Sequence, residues 1–554
     1  MELSWKALLG SLVVLGLSAC NSVNSRGVTN EEQVVFQTNE VVVSRVQFQD
    51  AATARKIAIS IEPIETNYDQ GYMLLDTDLD EFSYLRDQES SLNISIELDK
   101  QVTAQQTKVL ERFAQTGGLS PSTRSIPNFT CYRTVEETFA TADQIVASNP
   151  NLASIVDVGD SWKKTVNQGG YDMRVLKLTN SATPSPKPIM FVTSAIHARE
   201  YTTAELMTRF AEYLVSNYGT NADVTWMLDT QEVHLLLQTN PDGRKKAEAG
   251  SLWRKNNNTN YCKNGSTKGA DLNRNFSFEW NTGGSSASQC NETYRGPSAA
   301  SEPETKAVQN YARSVFPDQR GPNLTDAAPA TTSGLYLDIH SYSQLVLWSW
   351  GNRSTPAPNG TALQTLGRKF AFFNNYTPQQ AIGLYPTSGT TDDFVYGDLG
   401  IPAYTFELGT SFFETCSAFS STILPTNLNA LIYALRVTRA PYQLPSGPEV
   451  TSVSLTGNSL TASANDSRYN NSNGTEASQN VSTAAYYVDT PPWVAGATSN
   501  AMTASDGAFN SSTEGLSGTV STAGLISGRH TVYVRAQDSS GNWGPVSAVF
   551  LTVP

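Results

Sequence analysis

Between about residues 128 and 440, short apolar runs alternate with helix-length stretches: "DMRVLKL", "KPIMFVT", "EVHLLLQT", "GLYLDIH", "QLVLWSW" and "AYTFELG". Several of these runs are apolar enough to be strands covered on both faces. Between them, "TTAELMTRFAEYLVSNYG" places Leu206, Met207, Phe210, Tyr213 and Leu214 on one helical stripe. A second helix is expected from "SEPETKAVQNYARSVF", where the spacing of Ser301 and Glu304 fits a capping box. The pattern implies an α/β domain whose mixed or parallel sheet is flanked by helices. Functional loops are then expected at the carboxyl ends of strands.

The flanks differ in character, and 554 residues exceed what one core supports. From about 447 to 554, Ser, Thr, Gly and Asn rise and helix signals vanish. Short alternating segments such as "VTSVSLTG" and "RHTVYVRAQD" point to a β-sandwich, similar to immunoglobulin-like accessory modules of secreted bacterial enzymes. At the other end, Lys6 precedes "LLGSLVVLGLSA", which is too short to span a bilayer and reads as an export signal over residues 1–19. "LGLSAC" resembles a bacterial lipoprotein box, with Cys20 the lipidated residue and envelope attachment, outer membrane included, the consequence. An ordinary signal peptide cut near Ala19, giving a secreted protein, is the alternative.

Residues 20–125 read as an α+β prosegment. They carry the alternating "KIAISIEPI", the helix-like "VTAQQTKVLERFAQT" and a Gly, Ser and Pro stretch with Arg124 as a possible processing point. The net charge of -13 and the lack of a basic run argue against a nucleic-acid partner. Setting Cys20 aside, Cys131, Cys262, Cys290 and Cys416 are an even number, compatible with two disulfides whose pairing spacing does not give.

Histidine is scarce: His197, His234, His340 and His530 are the full set. In "FVTSAIHARE", His197 and Glu200 follow an apolar run and offer one nitrogen and one oxygen. His340 closes "GLYLDIH" and offers a second nitrogen. Two histidines, a carboxylate and an open position make a catalytic zinc arrangement, although spacing alone leaves a capping group or chance open. His234, inside "EVHLLLQT", reads as a strand-face residue with a structural hydrogen bond.

In order along the chain stand "HARE", "QTNPDG", "LWRKN", "GADLNRNF", "ETYRGPSAASEPE", "IHSYSQ", "YPTSGTTDDF" and "FELG". With these motifs, the stretch from 126 to 442 resembles the zinc carboxypeptidases, the family of pancreatic carboxypeptidases A and B. The resemblance implies a mixed eight-stranded sheet flanked by helices and one zinc ion per chain on His197, Glu200 and His340. It implies Glu407 as general base, accepting a proton from water and passing it to the leaving amine. Arg254 corresponds to the arginine that holds the developing oxyanion, and Lys255 beside it is expected to face solvent. Asn273, Arg274 and Tyr385 correspond to the grip on the substrate's terminal carboxylate, with Arg199 and Ser341 as subsidiary substrate-binding residues. Asp392 falls where carboxypeptidases B carry an acidic residue at the base of the specificity pocket, which rewards Lys or Arg; a slip of one residue would put Asp393 there, and bacterial members of the family also accept apolar ends. The same resemblance pairs Cys262 with Cys290, leaving Cys131 with Cys416, and suits the prosegment to a zymogen role, with a folding aid or a spacer between membrane and enzyme as the alternatives. Peptide and protein C-termini are the implied partners, with a surface or polymer ligand open for the terminal module. A peptidoglycan-trimming peptidase and an inactive surface-binding protein are the competing readings.

Overall fold

A computed structural model describes residues 42–77, 79–99, 125–263 and 267–554. The export signal, Cys20, the segment "VTAQQTKVLERFAQT" and Arg124 lie outside the described residues.

Residues 42–99 build a four-stranded antiparallel sheet from β1 (Val42–Gln47), β2 (Pro63–Asn67), β3 (Tyr72–Thr77) and β4 (Ser95–Leu98), in the order β2-β3-β1-β4. Two helices, Ala51–Ser60 and Leu79–Leu92, complete the layer. "KIAISIEPI" begins as helix rather than as an alternating strand. Asp50 caps that helix, accepting a hydrogen bond from Thr53 N at 2.7 Å. Ala54, Ile57 and Ala58 bury the i, i+3, i+4 face, so helical periodicity wins until Ile61.

The central domain carries an eight-stranded mixed sheet: β5 (Ala153–Asp160), β6 (Asp172–Leu178), β7 (Ile189–Ser194), β8 (Glu232–Leu236), β9 (Leu335–His340), β10 (Leu345–Trp348), β11 (Thr377–Gln380) and β12 (Ala403–Glu407). The order is β11-β10-β12-β9-β7-β8-β6-β5, and the middle four strands, β12, β9, β7 and β8, run parallel. These strands are almost wholly buried, as their apolar runs require. Helices Tyr201–Asn217, Pro303–Val315, Gly360–Asn374 and Leu424–Val437 flank the sheet. Because β7, β9 and β12 are parallel, Ser194, His340 and Glu407 end at one edge.

The capping box expected at Ser301 is absent. The helix starts at Pro303 with Glu302 as its cap residue and no side-chain capping bond. Ser301 Oγ donates to Glu302 Oε1 at 2.8 Å, and Glu304 Oε1 accepts from Trp162 N at 2.7 Å. Both groups of the supposed box are thereby engaged elsewhere.

Residues 449–553 form β13 (Glu449–Thr456), β14 (Ser459–Asn465), β15 (Val481–Val488), β16 (Asn500–Ala504), β17 (Thr513–Thr519), β18 (Gly528–Asp538) and β19 (Ser547–Val553). Strand β16 pairs with β15 at one end and with β17 at the other, joining a β13-β14-β17 sheet to a β15-β18-β19 sheet. Leu460, Leu516, Val532 and Val534 lie in the core of this β-sandwich-like region. It is docked on the central domain through a buried ion pair, Lys369 with Glu449 at 3.2 Å, and a part-buried one, Arg368 with Glu476 at 2.6 Å.

Candidate active site

After β7 the chain turns through Ala195, which takes a positive φ of 55°, and delivers His197 and Glu200 to the carboxyl edge of the sheet. Glu200 occupies the cap position of the helix Tyr201–Asn217, and its carbonyl is fixed by Arg244 Nη1 at 3.0 Å. His340 arrives at the end of β9. His197 Nδ1 lies 2.6 Å from Glu200 Oε1 and 3.2 Å from His340 Nδ1, and the three potential ligand atoms fall within 4.8 Å of one another. All three residues are buried.

The two rings present the same nitrogen inward. Their outer nitrogens meet carboxylates: His197 Nε2 is 3.2 Å from Asp271 Oδ1, and His340 Nε2 is 2.9 Å from Asp338 Oδ2. Among the described residues Glu200 Oε2 is buried without a hydrogen-bond partner, 3.4 Å from His340 Nδ1. Two imidazoles with facing Nδ1 atoms and an unsatisfied buried carboxylate oxygen are a donor set that fits one zinc ion.

Glu407 ends β12 in register with His340 on β9. Burial pushes its carboxyl up to about 8, against the opposing pull of His340. Arg254 enters from the "LWRKN" segment, which Asn240 of "TNPDG" ties to the turn before His197: Nδ2 reaches Lys255 O at 3.0 Å and Ile196 O at 3.1 Å. Its guanidinium binds Asp271 Oδ2 through Nη2 at 2.8 Å and Nε at 3.1 Å. Lys255 does not face solvent. It is buried and donates to the carbonyls of Gln289 and Asn291 at 3.0 Å each, and burial lowers its ammonium to about 8.

Asn273, Arg274, Tyr385, Asp392 and Thr405 line a pocket beside the histidines. Arg274 donates to Asn273 O at 2.7 Å and Tyr385 Oη at 3.3 Å, leaves Nε without a partner, and makes no ion pair among the described residues. Asn273 Oδ1 accepts from Thr391 N at 2.9 Å. Asp392 reaches the pocket, whereas Asp393 turns away to accept from Gly351 N at 3.0 Å. Burial raises both carboxyls, and Asp392 adds to the shift of Asp393, which reaches about 8. Ser341 and Arg199 line an adjoining pocket with Tyr342, Phe412 and Glu407. Arg199 pairs with Glu292 at 2.9 Å and stacks over Phe412. Ser341 Oγ is buried and has no hydrogen-bond partner among the described residues.

Disulfides join Cys262 to Cys290, around the Asn273–Arg274 loop, and Cys131 to Cys416. His234 lies in β8 between Glu232 and Tyr311, at 3.0 and 2.9 Å, away from the site. Three residues at the site carry no role in the sequence reading. Asp271, inside "GADLNRNF", and Asp338, two residues before His340 on the same strand face, had a positional signal. Glu62, from the N-terminal layer, had none. Its carboxylate pairs with Arg254, meets Arg199 Nη2 at 3.2 Å and accepts from Tyr385 Oη at 2.5 Å. Burial alone would raise Glu62; Arg254, His197 and Arg199 overcome it and hold the carboxyl far below its ordinary range.

The family model described as "Zinc carboxypeptidase" matches residues 138–430. The chain belongs to the zinc carboxypeptidase family. Carboxypeptidase A2 of Rattus norvegicus is 31% identical over 309 residues, which cover 54% of this chain and 67% of the relative. Carboxypeptidase B of Astacus astacus is 32% identical over 290 residues, 51% of this chain and 87% of the relative. The crystal structure of carboxypeptidase A from Helicoverpa armigera superposes with a TM-score of 0.57 at 22% identity, over 73% of this chain and 98% of that one, a likeness of fold. As a zinc carboxypeptidase the protein is a hydrolase, and the mixed sheet with its edge site is the fold of that family.

Proposed function

We propose that this metallocarboxypeptidase removes C-terminal residues from peptides and proteins, prefers Lys and Arg there, and is latent while residues 42–99 remain attached. The observation that carries the reading is the convergence of His197, Glu200 and His340 beside Glu407, next to a pocket that holds both Arg274 and Asp392. A zinc ion on these three ligands supplies a Lewis acid and acidifies water to a pKa of about 7. Glu407 is placed to accept the proton of an attacking water and return it to the departing amine. Arg254 offers donors where the scissile carbonyl oxygen gains charge, once Glu62 has left. Arg274 and Asn273 recognise the free carboxylate, so an internal peptide unit would leave a buried guanidinium unpaired.

Asp392 is buried and enters no ion pair among the described residues, so a substrate ammonium or guanidinium would complete it. Latency is supported by Glu62, which occupies Arg254, Arg199 and Tyr385 together. The signal "LGLSAC" supports export with lipidation at Cys20, and the shared-strand topology of residues 449–553 supports an immunoglobulin-like accessory domain.

The test is to incubate the processed protein, freed of residues before 126, with peptides ending in Arg, Lys or Leu and with an Arg-amide. Release of Arg and Lys ahead of Leu, no release from the amide, abolition by a chelator and restoration by one equivalent of zinc are expected. Equal cleavage of free and amidated ends would remove the exopeptidase reading. Cleavage restricted to peptidoglycan peptides would favour the envelope-trimming alternative.

A further inference from the structure

Asp338 has both carboxylate oxygens committed and no Lys or Arg partner among the described residues. Oδ1 accepts from Thr193 Oγ1 at 2.7 Å; Oδ2 accepts from Thr391 Oγ1 at 2.6 Å and faces His340 Nε2 at 2.9 Å. The residue is fully buried. On the other imidazole, Asp271 has Arg254 as well as His197 to balance its charge. A carboxylate at this depth with only hydroxyls and one ring N–H is costly unless positive charge lies on the far side of that ring. The far side of the His340 ring is Nδ1, which faces Glu200 and His197.

We propose that Asp338 is a positioning residue for the metal centre: it holds the Nε2–H tautomer of His340, directs Nδ1 at the ion and raises the ring's basicity as a ligand. The inference rests on the zinc reading of the site. Thr193 and Thr391 orient the carboxylate in turn, and Thr391 N also holds Asn273 Oδ1, so a residue that steadies Asp338 also borders the terminal-carboxylate grip. An Asn at 338 keeps the volume and one acceptor but offers His340 an amide instead of a carboxylate.

The experiment measures zinc affinity by chelator competition on the full chain, with circular dichroism to verify folding, for wild type, Asp338→Asn and Thr391→Val. Outer partners of this kind are worth about 10- to 100-fold in metal affinity. Asp338→Asn is expected to weaken zinc by that factor with unchanged folding, and Thr391→Val, which spares the carboxylate, by less than about threefold. Equal zinc affinity in wild type and Asp338→Asn would overturn the proposal, as would equal losses in both variants, since the effect would then belong to packing of the helix Thr391–Leu399. Failure of the wild type itself to bind one zinc would instead strike the zinc reading.

Discussion

Glu62 Oε1 accepts a hydrogen bond from Tyr385 Oη at 2.5 Å, and its other oxygen pairs with Arg254, so a side chain of the N-terminal layer ends inside the candidate active site. A charge-assisted hydrogen bond contributes about 1.5–3 kcal/mol. Glu62→Ala in the uncleaved chain should therefore raise kcat/KM on a peptide ending in Arg by roughly tenfold or more. The cleaved enzyme should be unaffected. Peptide-release kinetics on both forms of both proteins check this, and an unchanged uncleaved form would show that Glu62 does not hold the site shut.

Asp392 makes a second outcome calculable. Leaving a buried charge unpaired costs about 3–5 kcal/mol, or roughly two to four orders of magnitude in a ratio of specificity constants. Asp392→Ile should lower kcat/KM for Arg-ending peptides and raise it for Leu-ending ones, shifting their ratio by about 10²-fold or more. Asp393→Asn, whose side chain faces Gly351 rather than the pocket, should leave the ratio near its original value.

The readable and unreadable parts of the chain divide along a physical line. Strands such as "PIMFVT" and "LYLDIH" are buried on both faces, so apolar runs mark them; His197, Glu200 and His340 sit where those runs stop. Lys255 departs from the solvent-facing expectation because a lysine's burial depends on distant carbonyls, here Gln289 and Asn291, which no local pattern reveals. Ser301 and Glu304 satisfy a capping spacing, yet tertiary partners took both groups. Glu62 acquires its role from contacts with residues 137 to 323 positions away, beyond any window of periodicity.

Glu304 gives a pH dependence away from the metal ligands. Burial, with the charge of Glu302 beside it, raises its carboxyl from an ordinary 4.5 to about 8. A folded-state pKa above the unfolded one means that the folded protein binds the extra proton. Its stabilisation is full below about 4.5 and is lost as pH rises through about 8. Glu304→Gln mimics the protonated group and lacks that loss. Between pH 5 and pH 8.5 the Tm of the wild type should fall by roughly 5 °C more than that of the variant. Parallel curves in calorimetry would show that Glu304 does not carry the dependence.

Arg254 and Arg274 are separable by kinetics although both lie at the mouth of the same site. In the proposed mechanism Arg254, released from Glu62, would face an oxygen whose charge grows only during reaction, while Arg274 would meet a carboxylate that is charged before and after it. Loss of a donor to a developing oxyanion costs about 10²–10³ in kcat. Arg254→Ala should therefore reduce kcat by that factor with KM nearly constant. Arg274→Ala should raise KM for free C-termini and narrow the gap between free and amidated peptides. Asp271 complicates the first variant, since it loses the partner that holds it far below its ordinary range, and the carboxylate of Asp271 also orients His197. Arg254→Lys, which retains a cation near Asp271 but not the fork of donors, isolates the two effects. If it keeps zinc affinity and still loses kcat, the defect lies in oxyanion stabilisation; if zinc affinity falls with it, Arg254 acts chiefly by balancing Asp271.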